Sequence, residues 1–270
     1  MDYKLPNEVK IILEKFTNAG FQIYVVGGAV RDLLLGKNVK DWDFTTDAKP
    51  EEILKVIPDG FYDNKFGTVG IHTKSTSKVG LNSFEAYEIT TMRKEGIYKD
   101  HRHPVEVSWT NQIEEDLSRR DFSINAMALS KDRQIIDPYN GQEDLKNKLI
   151  RAVGDPDKRF NEDALRLIRA IRFASQLEFE IDKKTFQAIQ KNAHLIKEIA
   201  NERIRDELFK ILASSSPYIG INKLREAGIL QIILPELEKC FGIMQQGPKH
   251  DRVYDIGEHS LLALKHTPSN

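Results

Sequence analysis

A single cysteine, Cys240, stands among 270 residues, which excludes an intrachain disulfide and suits a reducing compartment. No uncharged stretch approaches the roughly 18–20 apolar residues needed to span a bilayer. The opening segment, Met1-Asp2-Tyr3-Lys4-Leu5-Pro6, lacks the apolar core of a signal peptide and carries an acid that a transit peptide would avoid. Charge of one sign is not in excess either: 40 Lys and Arg face 41 Asp and Glu, a net of −1. A chain so balanced is not an indiscriminately basic nucleic-acid binder, and any contact with nucleic acid must come through a local basic patch. Internal repeats and low-complexity tracts are absent. At 40% hydrophobic and 9% aromatic residues the chain can bury a real core, so disorder throughout is excluded. The expectation is a cytoplasmic α/β or α+β protein with no membrane partner, built as one large domain or two ordinary ones.

What is present changes along the chain. Up to about residue 140, strand-like and helix-like runs mix. Residues 22–26 are apolar and rich in β-branched and aromatic types, and read as a strand. Gly27-Gly28 breaks it, and residues 29–35 follow with helical apolar spacing, closed by Gly36. Residues 42–45 read as a second strand, 51–56 as a helix with Pro50 near its first turn, and 68–72 and 84–91 as further strands. Residues 94–107 hold Gly96, His101, His103 and Pro104 with little to anchor a core, and read as a long functional loop. From Gly141 onward helical periodicity dominates, over 143–149, 161–177, 183–199, 202–213 and 221–227, and no run reads as a strand. Another apolar helix starts at residues 259–266, close to the last residue, which reads as a cut inside a longer protein.

Three constellations carry chemistry. The first is Gly27-Gly28-Ala29-Val30-Arg31-Asp32 followed by Asp41-Trp42-Asp43. A strand, a glycine turn and a helix start bring free backbone N–H groups to one point, which favours an anion. Arg31 adds a fork suited to phosphate. In a strand, Asp41 and Asp43 share a face. Two such carboxylates repel unless a cation lies between them, and hard oxygen donors suit Mg²⁺ together with substrate phosphates. Asp-x-Asp alone equally describes a solvated edge pair; its place a dozen residues after the glycine turn argues otherwise. Glu88, on an adjacent strand, is a candidate third carboxylate, with Glu85 its competitor. The second constellation is Arg119-Arg120-Asp121-Phe122-Ser123-Ile124-Asn125-Ala126-Met127-Ala128. Its apolar members suit a buried helix face, which leaves Arg120, Asp121 and Asn125 on the other side. The third runs from Arg159 to Ala174. Ala164, Leu167, Ile168, Ile171 and Ala174 form one helical face, while Glu162, Asp163, Arg166, Arg169 and Arg172 occupy the opposite half. That row is a solvated face with (i, i+3) ion pairs, or a row of donors for a nucleotide.

Together these blocks resemble the class II tRNA nucleotidyltransferases, the CCA-adding enzymes, and their relatives the bacterial poly(A) polymerases. The matching residues are Gly27-Gly28-Ala29-Val30-Arg31-Asp32, Asp41-Trp42-Asp43, the segment 120–126, Asp137-Pro138-Tyr139-Asn140-Gly141 and Glu162-Asp163-Ala164-Leu165-Arg166. Each is weak alone; five in order are specific. The resemblance implies an α+β fold: a polymerase-β-like nucleotidyltransferase head with a mixed sheet over 1–140, an all-helical neck over 141–205, and the start of a helical body over 206–270.

The resemblance also implies roles. Asp41 and Asp43 match the metal carboxylates and Glu88 the third catalytic acid, with Mg²⁺ as cofactor. Gly28, Arg31, Arg120 and Asp121 match nucleotide-contact positions. Asp163 and Arg166 match a base-reading pair, with Glu162 as its organiser and Arg169 and Arg172 continuing the row. The implied reaction adds C, C and A to the tRNA 3′ end from CTP and ATP without a nucleic-acid template. An enzyme adding only the terminal A, or a poly(A) polymerase, is the nearest alternative. Ala164, where poly(A) polymerases usually carry Pro, and the intact 94–107 segment favour full CCA addition. A silent RNA-binding module on the same fold is the rival from another class.

Overall fold

β-Branched and aromatic residues in Ile23-Tyr24-Val25-Val26 set up the strand around which the first half of the chain assembles. A computed structural model describes residues 4–62, 67–74, 84–96, 98, 104–244 and 254–267. It divides into two compact units between Leu145 and Lys146.

In the first unit the order is α1 (Asn7–Asn18), β1 (Ile23–Val26), α2 (Gly28–Leu34), β2 (Asp43–Thr46), α3 (Pro50–Val56), β3 (Phe61–Tyr62), β4 (Thr68–Lys74) and β5 (Phe84–Thr91). A ribbon of β6 (Arg93–Glu95) and β7 (Val107–Trp109) follows, then α4 (Ile113–Ser118), a 3₁₀ turn at Ser123–Asn125, β8 (Ala128–Leu129), β9 (Ile135–Ile136) and α5 (Gly141–Lys146). Seven strands form one mixed sheet in the order β3-β4-β5-β2-β1-β8-β9. β2 runs parallel to β5, and the other neighbours are antiparallel. Val25, Phe44 and Ile89 are buried at its centre. Ile113 and Leu117 of α4 pack with Val26, Met92 and Ala128.

The second unit holds β10 (Leu149–Ile150), α6 (Pro156–Glu162), α7 (Leu165–Leu177), β11 (Glu180–Ile181), α8 (Lys183–Asn192), a 3₁₀ segment at Ala193–Glu198, α9 (Asn201–Leu212), α10 (Pro217–Glu226), α11 (Leu230–Ile233), α12 (Pro235–Glu238) and α13 (Ile256–His266). Pro156, Pro217 and Pro235 each occupy a first turn, where a missing N–H is harmless. No helix among the described residues is long and apolar enough to cross a membrane.

The structure corrects five expectations. β2 starts at Asp43 rather than Trp42, because its partner β1 ends at Val26, where Gly27 turns away with φ +69°. The shared strand face assumed for Asp41 and Asp43 therefore does not hold, since Asp41 precedes the strand. The 94–107 segment is paired at its ends, Arg93↔Trp109 to Glu95↔Val107, and the bond from Gly96 N–H to the Glu106 carbonyl extends the ribbon; residues 97 and 99–103 lie outside the described residues. Residues 121–129 form no helix with an exposed side: every one of them is buried, around a single 3₁₀ turn. The second half is not wholly helical, because Leu149-Ile150 and Glu180-Ile181 pair in parallel, and Lys148 at φ 53° ends the helix expected to run to 149. The helix expected over 161–177 breaks at Asp163, which is extended (φ −138°, ψ 105°).

Gly141 shows how tightly the first unit closes. A Cβ there would lie 2.3 Å from the Ser123 carbonyl oxygen and 2.9 Å from Met127 Sδ. Asp137 holds the same turn from below, accepting from the N–H groups of Gly141 (2.7 Å) and Gln142 (2.9 Å). Gly141→Ala should destabilise the protein by about 1–3 kcal/mol, the usual cost of overpacking, read as a lower urea midpoint with an unchanged slope.

Candidate active site

Antiparallel register places Val26 opposite Asp43. The chain leaves β1 through Gly27, so the glycine turn lies beside the first residue of β2. On the other side of β1, Val26 pairs with Ala128, which brings in the segment running through Arg120 and Asp121. On the other side of β2, Asp43 pairs with Glu88 of β5, and paired residues of neighbouring strands share a face. The ends of β1, β2 and β8 and the middle of β5 thus lie side by side around Asp43.

The side chains join as the backbone does. A Cβ on Gly27 would stand 3.0 Å from Arg120 Nη1 and 3.8 Å from Asp43 Oδ2, so the guanidinium and the carboxylate lie over a position where only glycine suits both the φ and the space. Burial pushes the Asp43 carboxyl above its ordinary pKa; the Arg120 charge opposes this, and Asp41 adds to it by repulsion. The carboxylates of Asp41 and Asp43 thus feel each other. Arg31 folds over Gly28. It donates through Nε (2.9 Å) and Nη2 (3.1 Å) to Asp32, and through Nη1 to Asn125 Oδ1 at 2.8 Å. Asn125 in turn donates to Asp121 Oδ1 at 3.2 Å, which also accepts the Phe122 N–H at 2.8 Å. The first and second constellations are therefore one hydrogen-bonded network. Asp41 and Glu88 are exposed, and the side chain of Glu85 lies outside the described residues. Among the described residues no three His, Cys, Asp or Glu side chains cluster to hold a metal. The donor set at hand is Asp41 and Asp43, both hard oxygen ligands, and a cation there would relieve the repulsion and desolvation that raise Asp43. These residues fit Mg²⁺.

Asp116 was not among the candidates, though its spacing of three and four from Arg119 and Arg120 on one helix was visible. It is fully buried. Its Oδ1 accepts from Arg119 at 2.8 and 3.0 Å, and its Oδ2 from Arg120 at 3.2 Å. The Arg93 N–H adds a longer bond of 3.3 Å. Arg119 continues to Glu95 at 3.2 Å, so one carboxylate ties Arg120 to the ribbon of β6 and β7.

In the second unit, Arg166 and Arg172 are buried and Arg169 is half-buried, so the row is no solvated face. Arg166 Nη1 donates to Glu162 Oε2 at 2.7 Å and to the Arg159 carbonyl at 3.2 Å; Arg159 pairs with the same glutamate at 3.0 Å. Asp163 lies at the break just before α7, accepting the Leu165 N–H at 3.1 Å. Arg172 stands apart from that group. Its Nε is 3.0 Å from Glu207 of α9 and its guanidinium covers the Phe173 ring at 4.3 Å, while Arg169 lies 5.5 Å from the same ring.

With this geometry in view, residues 23–151 match the poly(A) polymerase head domain, and residues 178–241 match a domain described as the probable RNA and SrmB-binding site of polymerase A. The chain belongs to the poly(A) polymerase and tRNA nucleotidyltransferase family. It is 49% identical over 201 residues to a CCA-adding enzyme of Lactobacillus helveticus, covering 74% of this chain and 48% of that one. The fold is similar to the crystal structure of the Bacillus stearothermophilus CCA-adding enzyme in complex with CTP, at a TM-score of 0.73 and 38% identity over 82% of this chain and 52% of that one. It is also similar to a tRNA nucleotidyltransferase complexed with a primer tRNA and an incoming ATP analog, at a TM-score of 0.67 and 30% identity over 88% of this chain and 64% of that one. The chain spans about half the length of the curated relatives it matches. The mixed-sheet head expected from its motifs is the fold of the family.

Asp116 offers a test of the head network. Burial alone would raise its carboxyl, but the Arg119 and Arg120 charges and the bonds from Arg119 and the Arg93 N–H outweigh that and hold it below the ordinary range. Its contribution to stability is therefore in place above the unfolded value of about 3.9 and is lost as the pH falls through the lower folded value. Asp116→Asn should cost about 3 kcal/mol at pH 7, because it leaves buried guanidinium groups uncompensated. In urea unfolding its stability should also fall less steeply below pH 4 than that of the parent chain. Equal acid slopes would mean that another carboxylate governs the acid limb.

Proposed function

We propose that this chain is the catalytic and base-selecting part of a cytoplasmic tRNA nucleotidyltransferase that adds C, C and A to the tRNA 3′ end from CTP and ATP, releasing pyrophosphate. The observation that carries the reading is the meeting of Asp43, the Gly27 turn and Arg120 at the ends of β1, β2 and β8. A desolvated carboxylate beside a guanidinium supports a cation site next to a phosphate site.

In this reading residues 1–140 are the head, 141–205 the neck and 206–270 the start of a body. Asp41 and Asp43 hold Mg²⁺, with Glu88 in register as the third acid. When bound, the ion supplies electrophilic activation at the α-phosphate and neutralises charge on the departing pyrophosphate. The 3′-hydroxyl oxygen gives up its proton to solvent and bonds to the α-phosphorus, and the bond from that phosphorus to the bridging oxygen of the β-phosphate breaks, its electron pair leaving with pyrophosphate. Arg120, fixed by Asp116, sets a positive charge beside Asp43. Gly28 and Arg31 position the triphosphate at the start of α2, and Asp121, aligned through Asn125, faces the sugar and phosphates. A ribose 2′-OH can both donate and accept, so the carboxylate and guanidinium at 120–121 suit it.

The base is chosen by protein groups. Asp163 only accepts and Arg166 only donates. The pair complements the amine of C or A and the neighbouring ring nitrogen, N3 of C or N1 of A. U and G present a carbonyl to the carboxylate instead, with no proton between them. Glu162, shared by Arg159 and Arg166, keeps the reader's guanidinium from turning. Arg169 and Arg172 extend the positive row. Relatives named CCA-adding enzymes, together with solved relatives bearing CTP or an ATP analog, support CCA addition over poly(A) synthesis.

Two outcomes follow on tRNA lacking its 3′ end. Asp43→Asn, and chelation of divalent cations in the parent chain, should each lower nucleotide incorporation by roughly 10³-fold, the scale of several kcal/mol of lost charge stabilisation. Circular dichroism should be unchanged, and near-normal incorporation by Asp43→Asn with Mg²⁺ present would remove Asp43 from the metal site. Asp163→Ala should reduce the kcat/KM preference for CTP over UTP and for ATP over GTP by about 1–3 kcal/mol, with a lower overall rate because the base is no longer held for attack. An unaltered ranking of the four nucleotides would refute the protein-template reading.

A further inference from the structure

Asp163 is held by more than its own helix. Its Oδ1 accepts the Leu165 N–H, and its Oδ2 lies 3.4 Å from Nη2 of Arg203, forty residues along the chain. Arg203 comes from the first turn of α9. Its other terminal nitrogen, Nη1, is buried and has no hydrogen-bond partner among the described residues. One turn further along α9, Glu207 pairs with Arg172. Residues four apart share a helix face, so a single face of α9 reaches Asp163 at one end of the row and Arg172 at the other.

We infer that Arg203 is a specificity-positioning residue: Nη2 fixes the orientation of the Asp163 carboxylate. The inference rests on the base-reading role proposed for Asp163 and Arg166. Telling an amine from a carbonyl requires a lone pair at a defined place, and one backbone bond to Oδ1 leaves the carboxylate free to rock about its last torsion. A guanidinium on Oδ2 removes that freedom, and its planar fork constrains more than an ammonium would. The contact is long, and a carboxylate oxygen has two lone pairs, so Oδ2 still has capacity to accept from an exocyclic amine. α9 then bears on base choice although none of its residues belongs to the recognised motifs.

The test compares Arg203→Ala, Arg203→Lys, Asp163→Ala and the Arg203→Ala/Asp163→Ala double variant of the full chain. It measures kcat/KM for CTP, ATP, UTP and GTP on tRNA lacking its 3′ end. In parallel, the thermal midpoint is recorded with CTP and with UTP, a readout that needs no tRNA. Arg203→Ala should shrink the CTP-over-UTP ratio by about tenfold, within the range of one specific base contact, mostly through loss of the CTP value. It should also shrink the extra thermal shift that CTP gives over UTP. Arg203→Lys should restore part of both, and Arg203→Ala should add no further loss of selectivity to Asp163→Ala. If Arg203→Ala does not fold, Arg203→Met, which keeps the aliphatic stem and removes the donors, carries the same expectations. A uniform fall for all four nucleotides, with the ranking kept, would overturn the inference and leave Arg203 a brace between helices. If Asp163→Ala changes the ranking and Arg203→Ala does not, the inference alone fails. If neither does, the base-reading role fails and the inference with it.

Discussion

The pairing of Val26 with Asp43 is the constraint on which the first unit's chemistry depends. Strand side chains alternate, so a slip of one residue between β1 and β2 would send Asp43 into the core and Phe44 out of it. Burial of Phe44, with Trp42 buried just ahead of the strand, forbids the slip. With that register in place, Gly27 must turn where β2 begins, Ala128 must pair where Gly27 turns, and Glu88 must lie opposite Asp43. Apolar packing on one face of the sheet thereby sets the position of charges on the other.

Those charges are costly to bring together, and the structure offsets the cost locally. Asp43 is desolvated with Asp41 nearby, and Arg120 answers only part of that penalty. Arg120 would itself be an exposed, wandering cation were it not held from below by Asp116, whose own burial is compensated by two guanidinium groups and a backbone N–H. A carboxylate left partly unanswered at the end of such a chain is what a cation-dependent site requires. The second unit works in the same way with the signs reversed: buried Arg166 and Arg172 are each met by a glutamate, Glu162 and Glu207.

Much of this was legible before any coordinates. The glycine turn, Asp-x-Asp, the Arg-Arg-Asp segment and Glu-Asp-x-x-Arg are local patterns, and their order along the chain pointed to the family. The central strands and most helices were also readable, because β-branched runs and apolar periodicity report burial directly. The misplacements have separate causes. Residues 121–129 look amphipathic by spacing, yet all of them are enclosed, so tertiary burial overrode the periodicity. Asp163 sits inside a helical pattern but leaves the helix, because its carboxylate accepts the Leu165 N–H two residues on, a local bond that competes with helical geometry. Strands of two residues such as Leu149-Ile150 carry too little pattern to be seen.

The sequence by itself determined the fold class and the family, and it offered most of the acidic and basic residues proposed for the site, though not Asp116, because these depend on residue type and short spacing. Tertiary structure alone decided which of those residues touch. The joining of Arg31 to Asn125 spans 94 residues, and that of Asp163 to Arg203 spans 40; neither partner carries a local mark of the other. Burial was decided the same way: the apparent solvated row on α7 became an interior one only once α9 supplied Glu207 for Arg172. A helical wheel places a side chain on a face, but only the neighbouring element determines whether that face meets water.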